Sequence, residues 1–448
     1  MTRNLLIATT AAAGLAISLG TISLSGQIAV KNQGYVPFSD EPIQYRTAPI
    51  SDPVAKLQQR LDRGEASLEY EAGHSYLRSV LRQLAIPENS QTLVFSKTSF
   101  QYKKISPQTP RALYFNDDVY VGQVHDGKVL EVVSFDANQG AIFYILDEQK
   151  SGKPAFERAE LDCTQCHVVA GTRNVPGVLV RSIFANPSGT QASKTASSTT
   201  GHESAFEERW GGWYVTGTHG QMTHMGNEVV KDPQHPDQPD RTAGANVTDL
   251  SKHFDTSAYL IPDSDIVAHL VLAHQTQMHN LITLTNYQTR IALHNDAQKI
   301  NGPLAKPLPF KIAGESLEAR YEKPAEQLVR YLLFADEAPL PGPIRGTSTF
   351  ATDFAAKGPR DRQGRSLRDF DLQTRTFKYP CSYLIYSESF DALPEPAKAY
   401  VYHRLFEILT GRDQSPEFAR LNKEDRRAIF EILLATKPGL PEEWSKAN

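Results

Sequence analysis

Apolar residues recur along this chain in two rhythms. Between positions 92 and 146 they come in short runs rich in β-branched and aromatic side chains: Thr92-Leu93-Val94-Phe95, Ala112-Leu113-Tyr114-Phe115, Val119-Tyr120-Val121, Val129-Leu130-Glu131-Val132-Val133 and Ala141-Ile142-Phe143-Tyr144-Ile145-Leu146. Asn116-Asp117-Asp118, Asp126-Gly127 and Asn138-Gln139-Gly140 separate some of these runs, and such clusters turn a chain back on itself. The pattern predicts an antiparallel sheet of four or five strands. Elsewhere the spacing is helical. Asp52 can cap free backbone N–H groups and Pro53 suits a first helical position, so a helix is expected to about Arg63, closed by Gly64. Leu68, Ala72, Leu77, Leu81 and Leu84 predict a second helix over 67–84, although Gly73 interrupts it. The longest periodic stretch is 263–293, which follows Pro262 and holds neither Gly nor Pro. Further amphipathic helices are expected over 328–334, 397–409 and 423–435.

Together these elements give an α+β fold class. An antiparallel β-rich region leads into a pair of cysteines, and a mainly α-helical C-terminal half follows. Four segments are expected: 1–30 as a signal peptide or membrane anchor, 31–90 as a helical N-terminal segment, 91–250 as the β-rich domain and 260–448 as the helical region. Within the second half of the β-rich domain, 179–184 reads as a strand and 186–201 as an exposed Ser/Thr/Gly/Ala-rich loop. The run from Trp210 to Gly220 reads as a strand whose glycines admit a flat group or another backbone. Asp117 and Asp118 are expected to be solvated in their turn.

Composition narrows the setting. Arg3 precedes an uncharged stretch over 5–30, the pattern of an export signal or of a retained anchor, with membrane association through that stretch. The formal net charge is −4, so a nucleic-acid partner is not expected. Three Cys in 448 residues exclude a disulfide scaffold. Cys381, between Pro380 and Ser382 in an aromatic run, reads as an apolar packing residue.

The other two cysteines stand in Cys163-Thr164-Gln165-Cys166-His167, which reads C-x-x-C-H. Two thiols at this spacing can add to the two vinyl groups of one porphyrin, and the adjacent His can offer its imidazole to the iron. A disulfide-exchange motif leaves His167 unexplained, and a zinc site needs more ligands than one Cys pair and one His. Residues 163–167 resemble the haem-attachment motif of the c-type cytochromes, and the flanks loosely resemble exported bacterial haem proteins of no assigned activity. The resemblance implies one covalent haem c, with Cys163 and Cys166 as thioether anchors and His167 as the proximal iron ligand. It also implies maturation outside the cytoplasmic membrane, in the periplasm or on the outer membrane face.

The sixth iron position separates electron carriers from catalysts and gas binders. Met225 is the first candidate, in His219-Gly220-Gln221-Met222-Thr223-His224-Met225-Gly226-Asn227. His224 and His219 come next. His269, His274, Met278 and His279 on the long helix form a rival set, and an open face remains an alternative. The expected function is electron transfer by Fe(II)/Fe(III) cycling to a redox partner protein. The alternative is a haem c enzyme or small-ligand sensor with an open iron.

Overall fold

The computed structural model describes residues 35–301 and 316–447, so the stretch 1–30 lies outside the described residues. In chain order, the elements begin with α1 (Pro53–Asp62), α2 (Leu77–Gln83), β1 (Thr92–Val94), β2 (Arg111–Phe115), β3 (Val119–Gln123) and β4 (Val129–Asp136). There follow β5 (Gly140–Asp147), β6 (Phe156–Arg158), α3 (Glu160–His167), β7 (Val180–Ile183), β8 (Ser197–Thr200) and β9 (Trp213–Tyr214). The helical half comprises α4 (Ile266–Asn301), α5 (Leu317–Leu332), α6 (Phe350–Ala356), α7 (Glu388–Asp391), α8 (Glu395–Leu409), α9 (Lys423–Thr436) and α10 (Glu442–Lys446). The class is α+β.

Seven strands form one antiparallel sheet in the order β6-β5-β4-β3-β2-β1-β9. Beyond the expected five, β6 is three residues long and carries too little period to read from sequence, and β9 is two residues within the run from Trp210 to Gly220 that reads as a strand. Side chains alternate across a pleated sheet, so its two faces have separate cores. Tyr114, Val121, Val132 and Tyr144 share one face and pack with Val54, Leu57, Leu77 and Leu81 of α1 and α2. Phe115, Tyr120, Phe135 and Phe143 share the other and pack into the core that holds α4, α5 and α8. Described residues of the segments 31–90, 91–250 and 260–448 therefore pack together in these two cores.

The helix α4 runs through this second core and is buried on every side over much of its length. Its polar residues are spent on the backbone of the segments around it. Gln275 Nε2 donates to the Asn116 carbonyl at 2.7 Å, Gln277 Nε2 to Gly171 at 3.1 Å and Asn280 Nδ2 to Val178 at 2.8 Å. A buried carbonyl without a donor is costly, so these side chains hold loops against the helix at fixed heights.

Four expectations change. The second helix shrinks to α2, because Gly73 (φ 88°) and Ser75 (φ 54°) are left-handed and break the right-handed path. The run from Trp210 to Gly220 is strand only at β9. Its glycines do admit backbone: a Cβ on Gly211 would stand 2.1 Å from the Ile183 carbonyl oxygen. The loop over 186–201 contains β8, which pairs with β7. Asp118 is half-buried rather than freely solvated, and that burial, with Asp117 adding to it, pushes its carboxyl up to about 7. Cys381 is fully buried, as expected of a packing residue.

Candidate functional site

The short helix α3 follows the edge strand β6 directly and lies against β5. Residues three and four apart share one helix face, so Cys163, Cys166 and His167 project together. Phe143 of β5 meets the His167 ring at 4.9 Å between centroids, which sets this face over the α4 side of the sheet. Thr164, Gln165, Leu161 and Val168 point the other way. They line a shallow groove of about 560 Å³ together with Tyr35, Phe38, Arg46 and Asn174.

The sheet beside the motif is only partly covered. Phe115, Tyr120, Val133 and Phe143 stand in one cross-strand row, and Leu113, Gly122, Glu131 and Ile145 in the next. Leu113, Val133 and Ile145 are half-buried, unlike their neighbours on the opposite face. Arg111 reaches across β3 to Glu131 with an N–O distance of 2.5 Å. Gly122 makes room for it, because a Cβ there would stand 2.4 Å from the guanidinium.

The proton on His167 can be placed by its partner. His167 Nδ1 lies 2.8 Å from the Gly177 carbonyl oxygen. A carbonyl can only accept, so Nδ1 carries the hydrogen and donates it. Burial also lowers the pKa of the ring. The neutral imidazole is thus in the tautomer that keeps a lone pair on Nε2, the arrangement that a metal-ligating histidine requires. The loop that supplies the carbonyl is itself fixed. The Gly177 N–H donates to the His167 carbonyl at 3.1 Å, and the buried Thr172 hydroxyl donates to the same oxygen at 3.2 Å.

The cysteines differ from each other. Cys166 is exposed, Cys163 is half-buried, and both are free thiols. Burial pushes the Cys163 thiol up to about 11, and the carboxylates of Glu131 and Asp162 add to the shift. A thiol-disulfide exchange centre needs a lowered thiol pKa, so this environment disfavours that reading. Zinc needs three or four converging donors, and among the described residues no three His, Cys, Asp or Glu side chains are grouped to hold a metal ion. A covalent haem makes a smaller demand on the chain: two thiols and one imidazole nitrogen on a shared face, next to apolar surface. Cys163, Cys166, His167 and the strip of Leu113, Val133 and Ile145 meet it.

Every candidate for the sixth position is engaged elsewhere. Met225 is buried, its sulfur 3.9 Å from the Ser182 hydroxyl, and its N–H donates to the Arg209 carbonyl. His219 Nε2 accepts from the Asn246 N–H, and His224 Nδ1 accepts from the Gly226 N–H. His269 bonds the Tyr214 carbonyl, His274 bonds His202 and Ser382, and His279 bonds the Asp117 carbonyl. Met278 is fully buried in the α4 core. The structure unites Cys163, Cys166 and His167, and none of these interactions ties the other seven to them. Sequence reasoning missed Gly177, Thr172 and Asn280, none of which carries a local signal for contact with His167.

Comparison of the chain with protein-family models, with curated proteins and with solved structures gives no match. Among the described residues no helix is long and apolar enough to cross a membrane.

Proposed function

We propose that this chain is an exported mono-haem c-type cytochrome that transfers electrons, with Cys163 and Cys166 as covalent anchors and His167 as the proximal ligand. The observation that carries the reading is the 2.8 Å contact between His167 Nδ1 and the Gly177 carbonyl, which leaves Nε2 as a lone-pair donor. When bound, the haem supplies reversible one-electron exchange between Fe(II) and Fe(III). The chain's own part is to orient the imidazole and keep it neutral, and the half-buried Leu113, Val133 and Ile145 would offer apolar surface to the group. Export, through the stretch over 5–30, belongs to the same reading, and the redox partner is a protein met outside the cytoplasmic membrane.

Protein matured in a host competent for haem attachment should keep its haem through acid-acetone extraction, because thioether bonds survive denaturation. Cys163→Ala or Cys166→Ala should reduce the holoprotein sharply. Complete extraction of haem from the unaltered chain would falsify the covalent reading.

A second reading, an enzyme or sensor with an open iron, is favoured by one observation: Met225 and the histidine candidates are all held by other partners. Carbon monoxide separates the two. If Met225 is the sixth ligand, the reduced protein resists carbon monoxide and Met225→Ala admits it. Rapid binding by the unaltered protein removes Met225 and supports the open face.

A further inference from the structure

The loop that holds His167 is held in turn by a residue of the central helix. Asn280 of α4 bonds both backbone polar groups of Val178: its Nδ2 donates to the Val178 carbonyl at 2.8 Å, and its Oδ1 accepts from the Val178 N–H at 3.2 Å. Asn280 is fully buried, so this pairing has no competition from water. Gly177 precedes Val178, and its peptide carbonyl is the one bonded to Val178 N. Fixing that N–H fixes the plane of the peptide, and with it the direction of the Gly177 carbonyl. That carbonyl is the acceptor for His167 Nδ1.

The approach is close enough to specify the residue. A Cβ on Gly177 would stand 2.1 Å from Asn280 Oδ1, so no larger residue fits while the amide stays in place. Asn280 itself sits on a helix whose neighbouring turns are fixed independently, by Gln277 to the Gly171 carbonyl and by Tyr287 to the Gln139 carbonyl. The path from a rigid helix to the imidazole thus has three links, each a hydrogen bond or a single planar peptide.

We propose that Asn280 is a positioning residue for the His167 ligand: it aims the Gly177 carbonyl at Nδ1–H and so sets the strength of that hydrogen bond. The inference rests on the haem reading for its effect on iron. A stronger bond from Nδ1–H gives the imidazole more electron density, which makes Nε2 a better donor to the oxidised iron. Weakening it should therefore raise the reduction potential.

Asn280→Leu removes both hydrogen bonds at similar volume, and Asn280→Asp keeps an acceptor for the Val178 N–H. Three readouts are taken on the full chain: covalent haem content, the reduction potential, and solvent exchange of the His167 Nδ1 proton by selectively labelled histidine NMR. In Asn280→Leu the haem content should be unchanged and the Nδ1 proton should exchange at least tenfold faster. The potential should rise by a tenfold change in the Fe(III)/Fe(II) equilibrium, about 59 mV for one electron. Asn280→Asp should recover slow exchange, and Asn280→Ala, which also removes both bonds and should exchange faster, serves as the test variant if the leucine chain does not fold. Unchanged exchange and potential in a folded, haem-loaded variant overturn the proposal. Absence of haem from the unaltered chain defeats the functional reading alone, since the exchange measurement on the haem-free protein still decides whether Asn280 controls His167.

Discussion

At the scale of single residues, the motif was legible and its support was not. Cys163, Cys166 and His167 stand out because the proposed haem attachment fixes their separation along the chain. Gly177 and Asn280 act through contacts across ten and about one hundred residues, and neither type is distinctive where it stands. Asp118 shows the limit in the other direction. A pair of acids in a turn reads as solvated, yet Asp118 is half-buried, with Asp117, Glu388, Arg368 and Lys56 acting on its charge, and Arg368 pairs with Asp117. Cys381 tests the packing reading of a lone cysteine. It is fully buried in the core that also holds residues of α5 and α8, and burial pushes its thiol up to about 12. Cys381→Ser should destabilise the chain by about 1–3 kcal/mol, the cost of burying a hydroxyl without a partner. Urea unfolding reads the loss, and haem content should stay the same. A drop in covalent haem in that variant would mean that Cys381 takes part in the site.

At the scale of elements, local chemistry predicted starts better than extents. The helix expected after Asp52 is α1, with Asp52 Oδ1 accepting from the N–H groups of Val54 and Ala55 at 3.0 and 3.2 Å, and Gly64 just beyond its end at φ 70°. The helix α5 begins eleven residues earlier than expected, at Leu317, and holds Pro324 inside it. The 36-residue α4 extends past the predicted end because its polar residues, which look like helix-face solvent positions, are buried and matched to surrounding carbonyls. Asp52 also accepts from the Tyr144 hydroxyl at 2.7 Å, so the cap fastens α1 to the sheet. Asp52→Ala should therefore cost about 2 kcal/mol, the upper end for a cap, because it also strands a buried hydroxyl. Tyr144→Phe in the Asp52→Ala background should cost measurably less than in the unaltered chain. Equal losses in both backgrounds, read by urea midpoints, would show that the two groups are not coupled.

At the scale of the whole molecule, the α+β order of the chain was legible from hydrophobic rhythm, while the nesting of its parts was not. Rhythm places apolar faces on each element, but it does not say that one sheet divides two cores or that α4 is enclosed. That enclosure has a consequence for acid stability. Burial drives the pKa of His224, His269 and His274 down to about 3 and of His279 to about 4, and burial lowers His202 as well, with His274 next to it adding to the effect. In the unfolded chain these five rings titrate near 6.5. Between their folded values and 6.5 the unfolded state binds more protons, so stability rises with pH there and is lost as pH falls below about 6.5. Four acids work the opposite way: Asp118, Asp265, Glu148 and Glu337 are raised, chiefly by burial, and favour the folded state as pH falls. His219 and His253 are lowered as well, and His235 is raised; even with all four acids protonated at pH 5.5, the lowered histidines outnumber the groups that act the opposite way by at least about one proton. Each net proton is worth about 1.4 kcal/mol per pH unit. The urea midpoint should therefore fall between pH 7 and pH 5. His274→Gln, which leaves the proposed thiol anchors and proximal ligand in place, should flatten that fall by about one proton. A midpoint that holds steady or rises over the same interval would mean that the buried histidines are charged in the folded chain, and the neutral-core account of α4 would have to be abandoned.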